Sequence, residues 1–221
     1  IRDDLVTGVQ TCALPISKIT INLNTIYISN EDYLINFKAD MIVNNNQIKD
    51  LILSSQFSTK EDLKLSIKTN SNNEKITDLF AGNAKPLVKK YDFIKGFEGG
   101  YLKFDSIEKN KVSNSNLKIF DFKLKEVPAL TKLLTLASLQ GIADLLTGEG
   151  IRFNEFEMIF NNKDGLMKIE EIYSLGPSIS ILMDGYIQKD DLVSLRGTLV
   201  PATTVNKVIS SIPVIGDRKS T

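Results

Sequence analysis

The feature that most constrains this chain is a two-residue alternation of apolar and polar side chains. At residues 33–43 the odd positions are Tyr, Ile, Phe, Ala, Met and Val, whereas the even positions include Asn, Lys and Asp; residues 63–67 repeat the pattern. This period predicts β-strands with one apolar face and one wetter face. The connectors at 29–32, 44–46 and 70–73 are too short for crossover helices, so we predict an antiparallel meander.

A second feature is the apolar run at residues 127–150, which contrasts with the strand-like segments around it. Its apolar residues recur three and four positions apart, which predicts an amphipathic helix that begins near Pro128 and stops at Gly148 and Gly150. Polar residues on its other side argue against a membrane span. We expect this helix to cap the sheet through Leu130, Leu133, Leu134, Ile142, Leu145 and Leu146.

The remaining predicted elements are shorter, and they make the chain mainly β with a few helices (α+β). A short helix is predicted at 84–91, and an amphipathic helix beginning at Pro201 and ending at Pro213 is predicted after the last strand. Glycines are predicted to form a turn at 96–100, and residues 108–115 are predicted to be a polar loop. The other strands are predicted at residues 18–28, 48–57, 101–107, 117–124, 151–160, 166–173, 179–188 and 192–200.

Both ends of the chain are predicted to be products of DNA sequencing rather than natural protein. Read back into codons, residues 1–16 match a sequencing adapter, and residues 217–221 match the start of the same adapter on the opposite strand. We therefore expect the protein to be an internal part of a longer chain. It divides into a β-sheet segment at 17–126 and a region of helix, four strands and helix at 127–216.

Few residues could carry out catalysis. The chain has no histidine, and its one cysteine, Cys12, lies in the adapter-like segment, so a Ser-His-Asp triad, a cysteine nucleophile and a typical zinc site are excluded. Lys+Arg and Asp+Glu both number 27, which leaves no basic excess for nucleic acid. We expect no enzyme, cofactor or metal. The carboxylate pairs, expected to be solvated, are Glu155 with Glu157, Glu170 with Glu171, and Asp190 with Asp191.

The one-sided apolar strands leave two architectures open. The large apolar residues on the odd face of 33–43 alone represent on the order of 10 kcal/mol of burial, which is too much to leave in water. Either the sheet closes on itself as a sandwich or barrel, or it forms an open trough that a non-protein hydrophobe fills. Alternation marks a buried face but does not say what covers it.

Several short motifs, taken in order, resemble the C-terminal region of AsmA-like proteins of the YhdP type. They are Ala-Ser-Leu at 137–139, Gly-Ile at 141–142, Gly-Glu-Gly-Ile-Arg-Phe at 148–153, Gly-Pro at 176–177, Asp-Gly at 184–185, Gly-Thr-Leu-Val-Pro at 197–201 and Ile-Pro-Val-Ile-Gly at 212–216. The resemblance implies a protein anchored in the inner membrane of a Gram-negative bacterium. It implies a periplasmic β-sheet trough that carries phospholipid between the inner and outer membranes.

Under this resemblance the fold becomes a curved, trough-like antiparallel sheet, with the Leu-rich helix and the C-terminal amphipathic helix packed on it. The expected partners are phospholipid acyl chains and the two membranes. The alternative is a structural or regulatory envelope module with a closed core and no lipid conduction. The residues predicted to line the groove are Tyr33, Ile35, Phe37, Met41, Val43, Leu63, Leu65, Ile67, Phe156, Met158 and Phe160.

Overall fold

A computed structural model describes residues 16–91, 96–125, 150–177, 179–188 and 192–201. Within them, eleven strands form one antiparallel sheet whose spatial order is the order of the chain. This confirms the predicted meander and the mainly β class. The strands are β1 (Ser17–Tyr27), β2 (Tyr33–Asn44), β3 (Gln47–Phe57), β4 (Asp62–Thr69), β5 (Lys75–Ala81), β6 (Phe97–Lys109), β7 (Val112–Leu124), β8 (Ile151–Lys163), β9 (Leu166–Leu175), β10 (Ile179–Gln188) and β11 (Val193–Pro201).

Tight turns join many of the strands. Asn45 and Asn46 connect β2 to β3 with φ values of 49° and 60°, and Asp164 and Gly165 connect β8 to β9 with values of 51° and 83°. Two consecutive residues with positive φ are what a two-residue hairpin turn of matching twist requires, and Asn, Asp and Gly tolerate that conformation best. These connections fix which residues face each other across each hairpin.

The predicted short helix is confirmed as α1 (Lys85–Tyr91), which lies between β5 and β6. Pro86 stands in its first turn, where the missing N–H removes no intrahelical hydrogen bond. Ala84 and Val88 are buried against the sheet, and the N–H of Val88 donates to the carbonyl of Ala84 at 3.0 Å. The helix therefore covers the sheet at this end of its strands.

Three local predictions were wrong. Strand β5 was not expected, because Ile76 and Phe80 occupy its polar face and obscure the alternation. Residues 108–115 are not a loop: they are the ends of β6 and β7, joined by a turn at Asn110 and Lys111. The predicted glycine turn at 96–100 lies mostly within β6, where Gly99 and Gly100 adopt positive φ inside the strand.

Several predictions fall on residues outside the described part of the chain. These are the adapter-like ends, the Leu-rich cap helix at 127–150 except for its last residue, and the C-terminal helix after its first residue. Pro201 itself ends β11 and does not begin a helix. Among the described residues, no helix is long and apolar enough to cross a membrane.

Candidate functional site

One face of the sheet carries an unbroken line of apolar side chains, which we call the central row. Directly paired residues on neighbouring strands place their side chains on the same face, so the register identifies the row. It crosses all eleven strands, a distance of roughly 50 Å at about 4.8 Å per strand. In strand order its members are Ile21, Ala39, Leu53, Leu65, Leu79, Phe104, Leu117, Met158, Ile172, Met183 and Gly197.

On the α1 side of the central row, the same face is packed as a core. We call the next line of paired residues the inner row: Ser55, Leu63, Ala81, Leu102, Ile119, Phe156, Ser174, Ile181 and Leu199. Beyond it, Phe122 stacks on Phe97 at 5.1 Å and on Phe153 at 5.3 Å between ring centroids. Phe153 is 1% exposed, so this end of the face is closed by protein side chains.

On the other side of the central row lies the outer row: Ile19, Met41, Leu51, Ile67, Thr77, Ser106, Ser115, Phe160, Ile169, Gly185 and Leu195. It is apolar except for the three hydroxyl residues in its middle. Its two ends lie on the edge strands, where Ile19 is 40% and Leu195 is 39% exposed. The apolar face is therefore partly open to solvent at both edges of the sheet.

The structure places nine of the eleven predicted lining residues on this apolar face. Leu65 and Met158 belong to the central row, and Met41, Ile67 and Phe160 belong to the outer row. The other four lie on either side of these rows. They are Phe37, Leu63, Phe156 and Val43.

Tyr33 and Ile35 were predicted wrongly, because they lie on the opposite face. Asn36 has a φ of 54° and forms a β-bulge, which shifts the pairing of β2 with β3 between Ile35 and Lys38. An extra residue in a strand moves the following side chains to the other face. As a result Leu34, at 6% exposure, faces the core in place of its two neighbours.

The sequence predictions missed several members of the central row. Phe104 and Leu117 alternate with polar neighbours, and that signal was present in the sequence, whereas Leu53, Leu79 and Ile172 each have an apolar or aromatic neighbour that weakens it. What the sequence lacked was the register that joins them into one line, since register depends on turns and bulges. The cap residues at 130–146 lie outside the described residues, so their position relative to the row stays a prediction.

The opposite face of the sheet, which we call the charged face, carries ion pairs alongside apolar side chains, and Ile52 and Ile107 on it are 59% and 50% exposed. Lys118 on β7 forms an ion pair with Glu157 on β8 at 3.0 Å, and Asn116 donates to the same carboxylate at 2.8 Å. The hydrogen bond and the charge of Lys118, with the amide of Asn116, hold the pKa of Glu157 below its usual range. Surface pairs of this kind contribute little to stability.

A second charged region lies across β9, β10 and β11. Arg196 donates to both oxygens of Asp184, at 2.6 Å from Nε and 3.0 Å from the terminal nitrogen, and lowers the pKa of that carboxyl. The pair lines an open cavity of about 730 Å³, together with Lys168, Glu170 and Tyr186. Since Asp184 and Arg196 neutralise each other, we assign no chemistry to this cavity.

No group of three potential metal ligands occurs among the described residues. In the described part of the chain, the buried polar side chains on the apolar face are Ser55, Ser115 and Ser174. The described arrangement therefore offers apolar contact and a few hydroxyl groups. No known family model, curated protein or solved structure matches this chain.

Proposed function

We propose that this chain is a segment of a protein that carries phospholipid along the apolar face of its sheet. The single observation that supports the proposal is the central row, which contains no polar or charged side chain across eleven strands. In water, a row of this length needs an apolar partner. Acyl chains supply such a partner without requiring directional contacts.

The arrangement of the two faces suits movement along the sheet. Non-directional contacts of similar strength at each strand give a lipid no deep minimum along the central row. On the other face of the described strands, charged residues interrupt the apolar ones, as where Phe80 pairs with Lys64 and Lys103, so the unbroken apolar path is the central row. We propose that lipid passes from strand to strand along the row, at right angles to the strands.

The location of this transport is also a proposal, and it rests on the resemblance to AsmA-like proteins. In that view the sheet stands in the periplasm of a Gram-negative bacterium, and the longer protein is anchored in the inner membrane. The outer membrane is the second partner. The curvature that makes the sheet a trough belongs to the same proposal.

A second candidate is a structural or regulatory envelope module with a closed core. The packed end of the apolar face favours it, since Phe57, Phe153 and Ile179 are almost fully buried there. The two candidates differ in what contacts the central row. In the first it is lipid, and in the second it is protein alone.

A pair of substitutions at adjacent positions of β3 separates the candidates. Leu53 belongs to the central row, whereas Ser54 lies on the charged face, paired with Lys38 and Lys64. Leu53→Glu places a carboxylate among apolar chains and is expected to lower bound phospholipid about tenfold or more. Ser54→Glu, between two lysines, is the matched control and should retain lipid.

The measurement is the phospholipid that copurifies with each variant from a Gram-negative host, quantified by mass spectrometry. Circular dichroism of each variant confirms that the sheet is intact. Equal lipid on both variants, or a parent chain that carries none, would refute the proposed transport. Unfolding of Leu53→Glu with an intact Ser54→Glu would favour the closed core.

A further inference from the structure

Within the described residues, the outer row has one polar stretch, formed by Thr77, Ser106 and Ser115 on β5, β6 and β7. These residues pair directly across the three strands and so lie side by side in the outer row. We call them the hydroxyl notch. Ser115 is 7% exposed, and its Oγ lies 2.8 Å from the Oγ of Ser106. The outer row is otherwise apolar, so the notch interrupts it locally.

One hydroxyl proton of the serine pair in the notch has no acceptor among the described residues. A hydrogen bond between Ser106 and Ser115 consumes one of their two protons and leaves the other without a protein acceptor. Within the described part of the chain, neither serine makes another side-chain hydrogen bond. Ser106 is only half-buried, so when Ser115 donates to it the proton of Ser106 remains available to an acceptor outside the protein.

Two other buried serines on the same face show the contrast. Ser55 donates its hydroxyl to the carbonyl of Ile35 at 2.8 Å, and Ser174 donates to the carbonyl of Glu155 at 3.1 Å. In both cases the proton is committed to a backbone acceptor. The notch differs because its serines bond only to each other, and they do so next to the central row.

Polarity changes in steps along each strand of the notch. On β5, the residues that face the apolar side are Lys75, Thr77, Leu79 and Ala81 in succession. The steps are about 6.8 Å, which is two residues of a strand. β6 repeats the order with Glu108, Ser106, Phe104 and Leu102. β7 differs only at its outermost position, where Ser113 precedes Ser115, Leu117 and Ile119. Lys75 and Glu108 pair across the strands at 3.8 Å.

We propose that the hydroxyl notch binds the ester linkages of a diacyl glycerophospholipid and thereby sets how the lipid lies on the sheet. Its acyl chains run along β5, β6 and β7 toward the central row, and its head group lies at Lys75 and Glu108. On β5 and β6 the order charged, hydroxyl, apolar, apolar matches the order head group, ester, chain. This inference rests on the proposed function and adds to it the lipid class and its orientation.

The test compares two probes that differ only at the linkage. Vesicles contain equal amounts of a diacyl phosphatidylethanolamine and its dialkyl ether counterpart with the same chain lengths. The whole chain is incubated with them, and the bound lipids are counted by mass spectrometry. The ester carbonyls accept hydrogen bonds better than ether oxygens, so we expect the parent chain to prefer the ester about 3- to 10-fold.

The double variant Ser106→Ala with Ser115→Ala should lose this preference, whereas Ser174→Ala should keep it. Equal binding of ester and ether lipids by the parent chain would overturn the proposed role of the notch, but it would leave the proposed lipid transport in place. A preference that survives in the double variant would place the recognition elsewhere and would also overturn it. If neither probe binds, the proposed function fails. Should the double variant not fold, the comparison on the parent chain decides.

Discussion

Two leucines on one strand test whether the apolar face is closed or open. Leu63 and Leu65 lie two residues apart on β4 and face the same side of the sheet. Leu63 is 8% exposed and belongs to the packed cluster that includes Ala84 and Val88 beside α1. Leu65 belongs to the central row, where its cross-strand neighbours are Leu53 and Leu79. The perturbation is a change to alanine at each position.

The magnitudes follow from what surrounds each side chain. Removing a leucine from a packed site loses the transfer free energy and leaves a cavity, which together cost about 2–5 kcal/mol. On an open face no enclosed cavity remains, and only part of the roughly 2.4 kcal/mol for three methylene equivalents is lost. We therefore expect about 3 kcal/mol for Leu63→Ala and about 1 kcal/mol for Leu65→Ala.

The assay is urea denaturation of the delipidated chain, followed by far-ultraviolet circular dichroism. Tyrosine emission provides a second probe, since the chain has no tryptophan. The change in the free energy of unfolding is compared at equal denaturant slopes. A cost for Leu65→Ala equal to that for Leu63→Ala would show that protein packs the central row, and it would refute the open groove.

Two further predictions concern the bulge and the charged face. Replacing Asn36, whose φ is 54°, by valine should cost about 1–2 kcal/mol, whereas Asn36→Gly should be nearly neutral; thermal unfolding of the two variants compares them. The pKa of Glu157 is lowered in the folded chain, chiefly by its contact with Lys118. This ion pair therefore stabilises the fold above the ordinary glutamate pKa of 4.5, and its contribution is lost as the pH falls through the lowered pKa of the folded state. Glu157→Gln should therefore lose less stability below about pH 4.5 than the parent chain in acid titrations of unfolding; an unchanged acid transition would contradict this account.

The meander and most of its strands could be predicted from the sequence, because alternation and short connectors are local signals. At residues 33–43 the pattern predicted the correct strand but placed Tyr33 and Ile35 on the wrong face. Asn36 is polar and stands at a polar position of the alternation, so nothing in the spacing marks it as a bulge. Only the tolerance of asparagine for positive φ hinted at it.

The central row could not be predicted for a related reason. Its members come from eleven strands, and a one-residue slip in any pairing would move a strand's apolar residues to the other face. Strand β5 shows why the apolar residues of a strand do not by themselves identify its face. Phe80 is apolar but lies on the charged face, where its ring centroid is 6.4 Å from that of Tyr101. Pairing with β4 and β6 places Leu79 on the row, and that information is not local to β5.

The order of the strands has a consequence for how such a protein changes length over evolution. Each strand is hydrogen-bonded only to strands that precede or follow it directly in the chain. Duplication of one hairpin would therefore require new pairing at its two borders and leave every other register as it was. Each duplication would lengthen the apolar path by about 10 Å, the width of two strands. A path built this way adjusts its span in small steps without the redesign of a core.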